Sequence, residues 1–199
     1  RIGSVVAATA GAVGDLVTGS TAGSNVSKGI VAAASTISAD ATFAVNGAAG
    51  SKVIGIAAGA SAKTVAATVN AQTATTGVTA TARTEVDATF KVADSFTMTL
   101  KSDNATAVTI SFSTGAAANA DGLAGAITAF NDKSSQTGVT AKLNTAGNGI
   151  TLTNASGNDM ALTNSSATGT ATVGGAAMVV ATGVAYVTGA VTLDSDKTF

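Results

Sequence analysis

Residues able to carry out chemistry are few in this chain and occur in four short stretches. Residues 47–52, GAAGSK, resemble a phosphate-binding loop, and Ser61 with Lys63 could form a nucleophilic pair. Carboxylates in residues 154–159, NASGND, and in residues 194–196, DSD, could hold calcium. Each stretch has to be compared with the pattern that its chemistry requires.

None of these stretches fits its chemistry well. A phosphate-binding loop needs lysine followed by Ser or Thr at the start of a helix, whereas Ser51 precedes Lys52 and a strand pattern follows. Neither acidic stretch has the spacing of a calcium loop. Ser61 suits the N-cap of a helix, with Lys63 on the surface. The sequence therefore predicts a hairpin turn, an N-cap and solvated loops, with no catalytic, cofactor or metal site.

The residue types that the chain lacks exclude much of ordinary enzymology. Its 199 residues include no His, Cys, Trp or Pro. Without His there is no side chain that titrates near neutrality unless its surroundings tune it, and without Cys there is no thiolate nucleophile, thiolate metal site or disulfide. We therefore expect a protein that is not an enzyme and has no cofactor.

Charge and hydropathy argue against two classes of partner. Ten basic and eleven acidic residues leave a net charge of −1, which is no electrostatic footprint for nucleic acid or an anionic membrane. The longest weakly polar run, residues 174–187, is too short to span a bilayer. We expect neither partner.

The second half of the chain shows a regular change of period. Apolar residues alternate with threonine or serine in residues 95–102 and again in residues 107–114, which predicts a hairpin of two half-buried strands. Apolar residues then recur at helical spacing up to Phe130, which predicts a helix of about four turns with Gly138 as its C-cap. Apolar and polar residues alternate again in residues 139–164. Phe43, Phe96, Phe112 and Phe130 could line a ligand pocket, but their polar neighbours indicate core positions.

The first half follows the same order. The phrase VNAQTATTGVTATA at residues 69–82 returns as FNDKSSQTGVTAKL at residues 130–143, 61 positions later. Each copy contains the end of a helix, a glycine stop and the next strand, and the second copy is enlarged by about six residues, which we place at residues 113–119. We predict an α+β, strand-rich fold of two β-β-α-β(-β) units, each with one helix packed on antiparallel sheets.

The first half resembles the flagellin hook IN motif, in which an extended ING segment precedes a helix carrying INA, followed by TGV-A and a strand. Residues 45–47 (VNG), 69–71 (VNA) and 77–80 (GVTA) stand at these places. The second copy matches with residues 130–132 (FND) and 138–141 (GVTA) and has no clear ING element.

The resemblance implies the central, outward-facing region of a bacterial flagellin, cut from a longer protein. It implies an extracellular structural domain that contributes to the surface of the motility filament and to its antigenicity. Other flagellin subunits would be partners through regions outside this chain, antibodies or a host surface could bind it, and O-linked sugars on Ser or Thr would be its modification. The isolated chain is expected to be a monomer.

The expected organisation has three parts. Residues 40–93 form the first unit and residues 94–165 the second unit. Residues 1–39 and 166–199 are expected to pair near the termini as filament-proximal segments.

A binding module remains the alternative, in the form of an adhesin or autotransporter-like passenger that recognises a glycan or a host surface. Triplets for N-glycosylation begin at Asn25, Asn104, Asn154 and Asn164, but such triplets arise often by chance in a chain rich in Ser and Thr.

Overall fold

The computed structural model describes residues 4–5, 26–29 and 40–195. Asn25, Asp196 and most of residues 1–39 lie outside the described residues. In chain order the elements are β1 (Ser4–Val5), β2 (Val26–Gly29), β3 (Ala41–Gly47), β4 (Gly50–Ile56), α1 (Ala62–Asn70), α2 (Thr73–Thr76), β5 (Val78–Phe90), β6 (Ser95–Lys101), β7 (Val108–Ser113), α3 (Ala120–Asn131), α4 (Ser134–Thr137), β8 (Val139–Leu143), β9 (Ile150–Asn154), β10 (Met160–Asn164), β11 (Ala171–Val173), β12 (Ala176–Met178), β13 (Gly183–Val187) and β14 (Ala190–Ser195).

The strands of the described residues form three antiparallel sheets. The largest has the order β1-β14-β5-β11-β12, with β9 also paired to β5 and β8 to β9. The second has the order β2-β13-β10-β6-β7, and β3 with β4 forms a separate hairpin. The predicted α+β, strand-rich class is confirmed. Both predicted ββαβ sequences are present, as β3-β4-α1-α2-β5 and β6-β7-α3-α4-β8.

The strand β5 joins two hydrophobic cores. Its first half pairs with β14, and its second half pairs with β9 and β11. Val78 and Ala80 belong to the smaller core, with β3, β4 and α1, whereas Val86 and Phe90 belong to the larger core. Side chains alternate along a strand, and the inward-facing side chains of β5 belong to the smaller core at one end and to the larger core at the other.

The larger core contains a cluster of phenylalanine rings. Phe90 lies 5.2 Å from Phe96 and 5.0 Å from Phe112 between ring centroids, and Phe112 lies 5.9 Å from Phe130. Phe43 is buried in the smaller core instead. All these rings are buried in one of the two cores, as their alternation predicted. Edge-to-face contacts of this kind add about 0.5–1.5 kcal/mol to the burial of each ring pair.

Each predicted helix is divided in two. The helix α3 has 12 residues, so it is shorter than the predicted four turns, and it ends at Asn131. Gly138 ends the short helix α4 and does not cap α3. In each unit the first helix ends at an asparagine, Asn70 or Asn131, whose side chain binds the next strand. The enlargement of the second unit is not confined to residues 113–119, because α3 alone exceeds the 9-residue α1 by three residues.

Strands from the two ends of the chain pair with each other. Ser4 lies opposite Asp194, and Val26–Gly29 pairs with residues 184–187 of β13. The division into filament-proximal segments and two units stays a prediction.

Candidate functional site

The end of α1 is bound to the following strand by one side chain. The amide nitrogen Nδ2 of Asn70 donates to the carbonyl oxygen of Ala80 at 2.8 Å, and Oδ1 accepts from the Ala80 N–H at 2.7 Å. One amide side chain thus satisfies both backbone groups of a strand residue, as a neighbouring strand would. This contact fixes the direction in which β5 leaves the helix.

The second unit repeats the contact at the same spacing. Asn131 Nδ2 donates to the Ala141 carbonyl at 3.0 Å, and Asn131 Oδ1 accepts from the Ala141 N–H at 2.8 Å. The two partners are ten residues apart in both units. The second letter of the VNA and FND triplets therefore has a structural role.

A buried threonine completes the turn in each unit. The hydroxyl of Thr76 donates to the Gln72 carbonyl at 3.0 Å and accepts from the Val78 N–H at 3.2 Å. The hydroxyl of Thr137 makes the same pair of bonds to the Lys133 carbonyl and the Val139 N–H. Both side chains are fully buried, so these bonds offset the loss of their contacts with water.

A left-handed glycine follows each threonine. Gly77 has φ +72° and Gly138 has φ +69°, a conformation that costs other residues about 1–2 kcal/mol. We call the set of asparagine, threonine, glycine and alanine the brace. It comprises Asn70, Thr76, Gly77 and Ala80 in the first unit and Asn131, Thr137, Gly138 and Ala141 in the second unit.

The hairpin of each unit rests on its brace. The Ala49 N–H donates to the Thr76 carbonyl at 3.3 Å, and the Asp103 N–H donates to the Thr137 carbonyl at 3.1 Å. The second unit therefore reproduces this docking contact, although its hairpin lacks the ING letters. Gly47 supplies the glycine of that triplet in the first unit, where a Cβ would lie 2.0 Å from the Thr76 carbonyl oxygen.

The family comparison falls on the first of these units. Residues 42–93 match the family model described as the flagellin hook IN motif. The match confirms the resemblance read from residues 45–80 and is consistent with a fragment of a flagellin outer domain. A search of curated proteins found no match to the chain.

The glycine-rich stretch at residues 47–52 is a hairpin turn. Gly47 pairs with Gly50 across the turn, and Lys52 lies on β4 opposite Val45. The close approach of the backbone to Thr76 accounts for Gly47 without any bound phosphate. No helix begins at this turn, so the loop lacks the element that would direct N–H groups at a phosphate.

The Ser61 and Lys63 pair is a helix start. The Ser61 hydroxyl accepts from the Thr64 N–H at 3.3 Å as the N-cap of α1, and Lys63 is exposed. The predicted N-cap is confirmed. The Lys63 N–H donates to the Gly157 carbonyl at 3.0 Å, which joins the start of α1 to the loop before β10.

Buried Asn residues explain two of the glycosylation triplets. Asn154 and Asn164 are each 0% exposed, and the Oδ1 of each accepts from the N–H two residues later, at Ser156 and Ser166. An Asx turn uses the same spacing as the triplet. These two side chains have no room for a sugar, so the triplets reflect turn chemistry.

The acidic stretches do not assemble a metal site. Asp194 lies on β14 opposite Thr79, and Asn158 donates to Asp103 Oδ1 at 2.7 Å. Across the described ranges, no group of three or more His, Cys, Asp and Glu side chains could hold a metal ion. The helices of residues 40–195 are too short or too polar to cross a membrane.

A polar cleft of about 350 Å³ lies where the start of α1 meets the second unit. Asp159 is half-buried in it, and its Oδ2 accepts from the Tyr186 hydroxyl at 3.0 Å. Burial raises the pKa of Asp159 to about 6, and burial followed by the charge of Asp159 raises the pKa of Tyr186. Other side chains of the cleft come from separate elements and loops: Ser61, Thr64, Lys101, Ser102, Asn104 and Asn158.

The cleft offers hydrogen-bonding groups but no arrangement for catalysis. The Tyr186 hydroxyl is already bound to Asp159, and its raised pKa makes it a poor nucleophile. Sequence reasoning missed the cleft because its residues are spread from Gly59 to Tyr186. A cleft of this composition can bind a polar ligand through hydroxyl and amide groups.

Proposed function

We propose that this chain is a surface-exposed outer domain of a bacterial flagellar filament subunit. The flagellin hook IN motif in residues 42–93 carries the proposal, and the second brace at residues 131–141 supports it because the same hydrogen bonds recur there. The domain would be extracellular and non-enzymatic. Other flagellin subunits would assemble through regions outside this chain.

The polar surface fits a role in coating the filament. On β7, the exposed residues Thr109, Ser111 and Ser113 alternate with buried Ile110 and Phe112. The same alternation occurs on β5, where the exposed positions carry first two threonines, Thr79 and Thr81, and then the charged residues Arg83, Glu85 and Asp87. The hydroxyl-rich face of β7 would be seen by antibodies and could carry O-linked sugars.

Deleting residues 40–165 from the parent protein tests the proposal. Filaments should still form, because these residues would not contribute assembly contacts, and antibodies raised against the deleted residues should label wild-type filaments only. Electron microscopy with immunolabelling measures both outcomes. An exported and stable deletion protein that forms no filament contradicts the proposed outer position.

The isolated chain should be a monomer under this proposal. Sedimentation equilibrium over a range of protein concentrations measures the mass directly, and the expected monomer mass is 18.8 kDa. Polymers formed by the isolated chain would assign assembly contacts to the outer domain.

A binding module is the second candidate function, and the cleft at Asp159 favours it. Hydroxyl and amide groups of Ser61, Thr64 and Asn158 suit the hydroxyls of a neutral sugar. A glycan array probed with the chain and with Tyr186→Phe tests this candidate. Binding to a defined glycan that is lost in the variant supports an adhesin, whereas a blank array rejects it.

A further inference from the structure

The two units use one equivalent strand edge differently. In the second unit β6 pairs with β7 on one side and with β10 on the other. In the first unit β3 occupies the place of β6 and pairs with β4. Within residues 40–195, no strand pairs with the other edge of β3.

The alternation of an antiparallel pair identifies the backbone groups on that edge. Gly47 and Gly50 close the two-residue turn as a hydrogen-bonded pair, so the N–H and C=O groups of every second residue from there point toward β4. The groups of Thr42, Ala44 and Asn46 point the other way. The matching groups of Thr97 in β6 are occupied, because its carbonyl accepts from the Ser165 N–H at 2.9 Å and its N–H donates to the Ser166 hydroxyl at 3.0 Å.

Within residues 41–47 the edge of β3 lacks the charges, proline and bulges that often prevent pairing. The strand ATFAVNG contains no charged residue and no proline, and its register with β4 runs without a bulge. The outward face of the β3–β4 hairpin is exposed to solvent as well. Ala44 is exposed, and Val53 opposite it on β4 is 62% exposed. A strand of seven residues in this state can accept another strand.

We propose that the outer edge of β3 binds an extended, uncharged segment of a partner protein in antiparallel orientation. The chemistry of the segment follows from β10, the strand that fills the equivalent edge. In β10, the buried Met160 and Leu162 alternate with Ala161 and Thr163. The apolar side chains of the segment would lie beside Phe43 and Val45 of the smaller core, and its backbone would bond to Thr42, Ala44 and Asn46.

A synthetic peptide with the sequence of residues 160–166, MALTNSS, is the probe. Titrated into the isotopically labelled chain, it should shift the backbone amide resonances of Thr42, Ala44 and Asn46 and slow their hydrogen exchange. Ala44→Pro removes one outward N–H while keeping the bonds to β4, and should weaken binding by about fivefold or more.

Val53→Pro is the matched control, because Val53 lies opposite Ala44 and its backbone groups point to the other edge of the hairpin. It should bind the peptide like the unchanged chain. An unchanged Ala80 amide resonance in both variants shows that the brace, and with it the first unit, is intact.

Three outcomes overturn the proposal. The first is the absence of any shift at Thr42, Ala44 and Asn46 up to the solubility limit of the peptide. The second is slow exchange of these amides in the free chain, which would mean that the chain itself already covers the edge. The third is the same shifts on raising the protein concentration without peptide, which would make a second copy of the chain the occupant.

Discussion

The two units share one brace but differ in what surrounds it. The first unit has a 9-residue helix whose last buried apolar residue is Val69, and its hairpin forms a separate two-stranded sheet. The second unit has a 12-residue helix whose last buried apolar residue is Phe130, and its hairpin belongs to a five-stranded sheet. The hydrogen bonds of the brace are the same in both. The brace therefore depends on local sequence. It forms in the same way whether the core around it is small or large.

The largest effect should come from the larger core. Phe130 is 0% exposed and contacts the ring of Phe112, so Phe130→Ala should lower the free energy of unfolding by about 3–5 kcal/mol. Val69→Ala at the equivalent site should cost roughly 1–3 kcal/mol because a smaller buried group is removed. Urea denaturation measures both. Equal midpoints for the two variants would contradict the difference between the cores.

The junction between the units should respond to pH through Asp159. Its pKa is raised from 3.8 to about 6 in the folded chain, so the folded state binds the proton more tightly than the unfolded state. The stability that Asp159 contributes is greatest below pH 3.8, falls as the pH rises toward 6, and is lost above that. Tyr186 and Lys101 are the other titratable groups of the cleft.

Asp159→Asn should remove this pH dependence. The amide can still accept from Tyr186, and it has no charge to desolvate, so the variant should be more stable at neutral pH by about 2 kcal/mol. Thermal unfolding of the unchanged protein and of the variant, measured from below pH 3.8 to above pH 6, tests this expectation. A parallel pH profile in the variant would show that another group is responsible.

The hydrogen bonds of the brace should contribute the same free energy of unfolding in both units. Asn70→Ala and Asn131→Ala each leave both backbone groups of one alanine without their side-chain partner, at a cost of about 1–2 kcal/mol. Chemical denaturation of the two variants should give matching losses. A much larger loss in the first unit would show that its small core makes it depend more on the brace.

The smallest expected difference in stability is between alanine substitutions at Gly77 and at Gly138. A Cβ in Gly77→Ala would meet Ala49 at 3.5 Å, an ordinary van der Waals contact, so the substitution should cost only the left-handed conformation, about 1 kcal/mol. A Cβ at Gly138 would strike the carboxylate of Asp103, which accepts from Asn154 and Asn158. Gly138→Ala should therefore cost about 1 kcal/mol more, since those bonds must shift. Calorimetry of both variants resolves the difference.

Local sequence predicted the parts of the fold that depend on near neighbours. The apolar stripe to Phe130 and the N-cap at Ser61 were readable because period and capping chemistry act within a few turns. The repeated phrase revealed the brace as a repeat, but not its bonds, because the contact from Asn70 to Ala80 needs the geometry of the turn between them. The division of each helix was missed for the same reason.

Long-range features could not be read in this way. The cleft at Asp159 combines residues from both units, and no spacing in the sequence brings Ser61 close to Tyr186. The pairing of β5 with β14, β9 and β11 was equally hidden, since the strands of residues 171–195 are built largely from Ala, Val, Gly and Thr with little periodic contrast. Partner choice among such strands is decided by the whole sheet.

The 13-residue strand β5 has a consequence for how the molecule melts. One end of the strand is hydrogen-bonded within the smaller core and the other within the larger core, so neither core can open without loosening the ladder that the other requires. Heating should therefore give a single calorimetric transition, in which the first unit is held folded well beyond the temperature that its own small core would withstand.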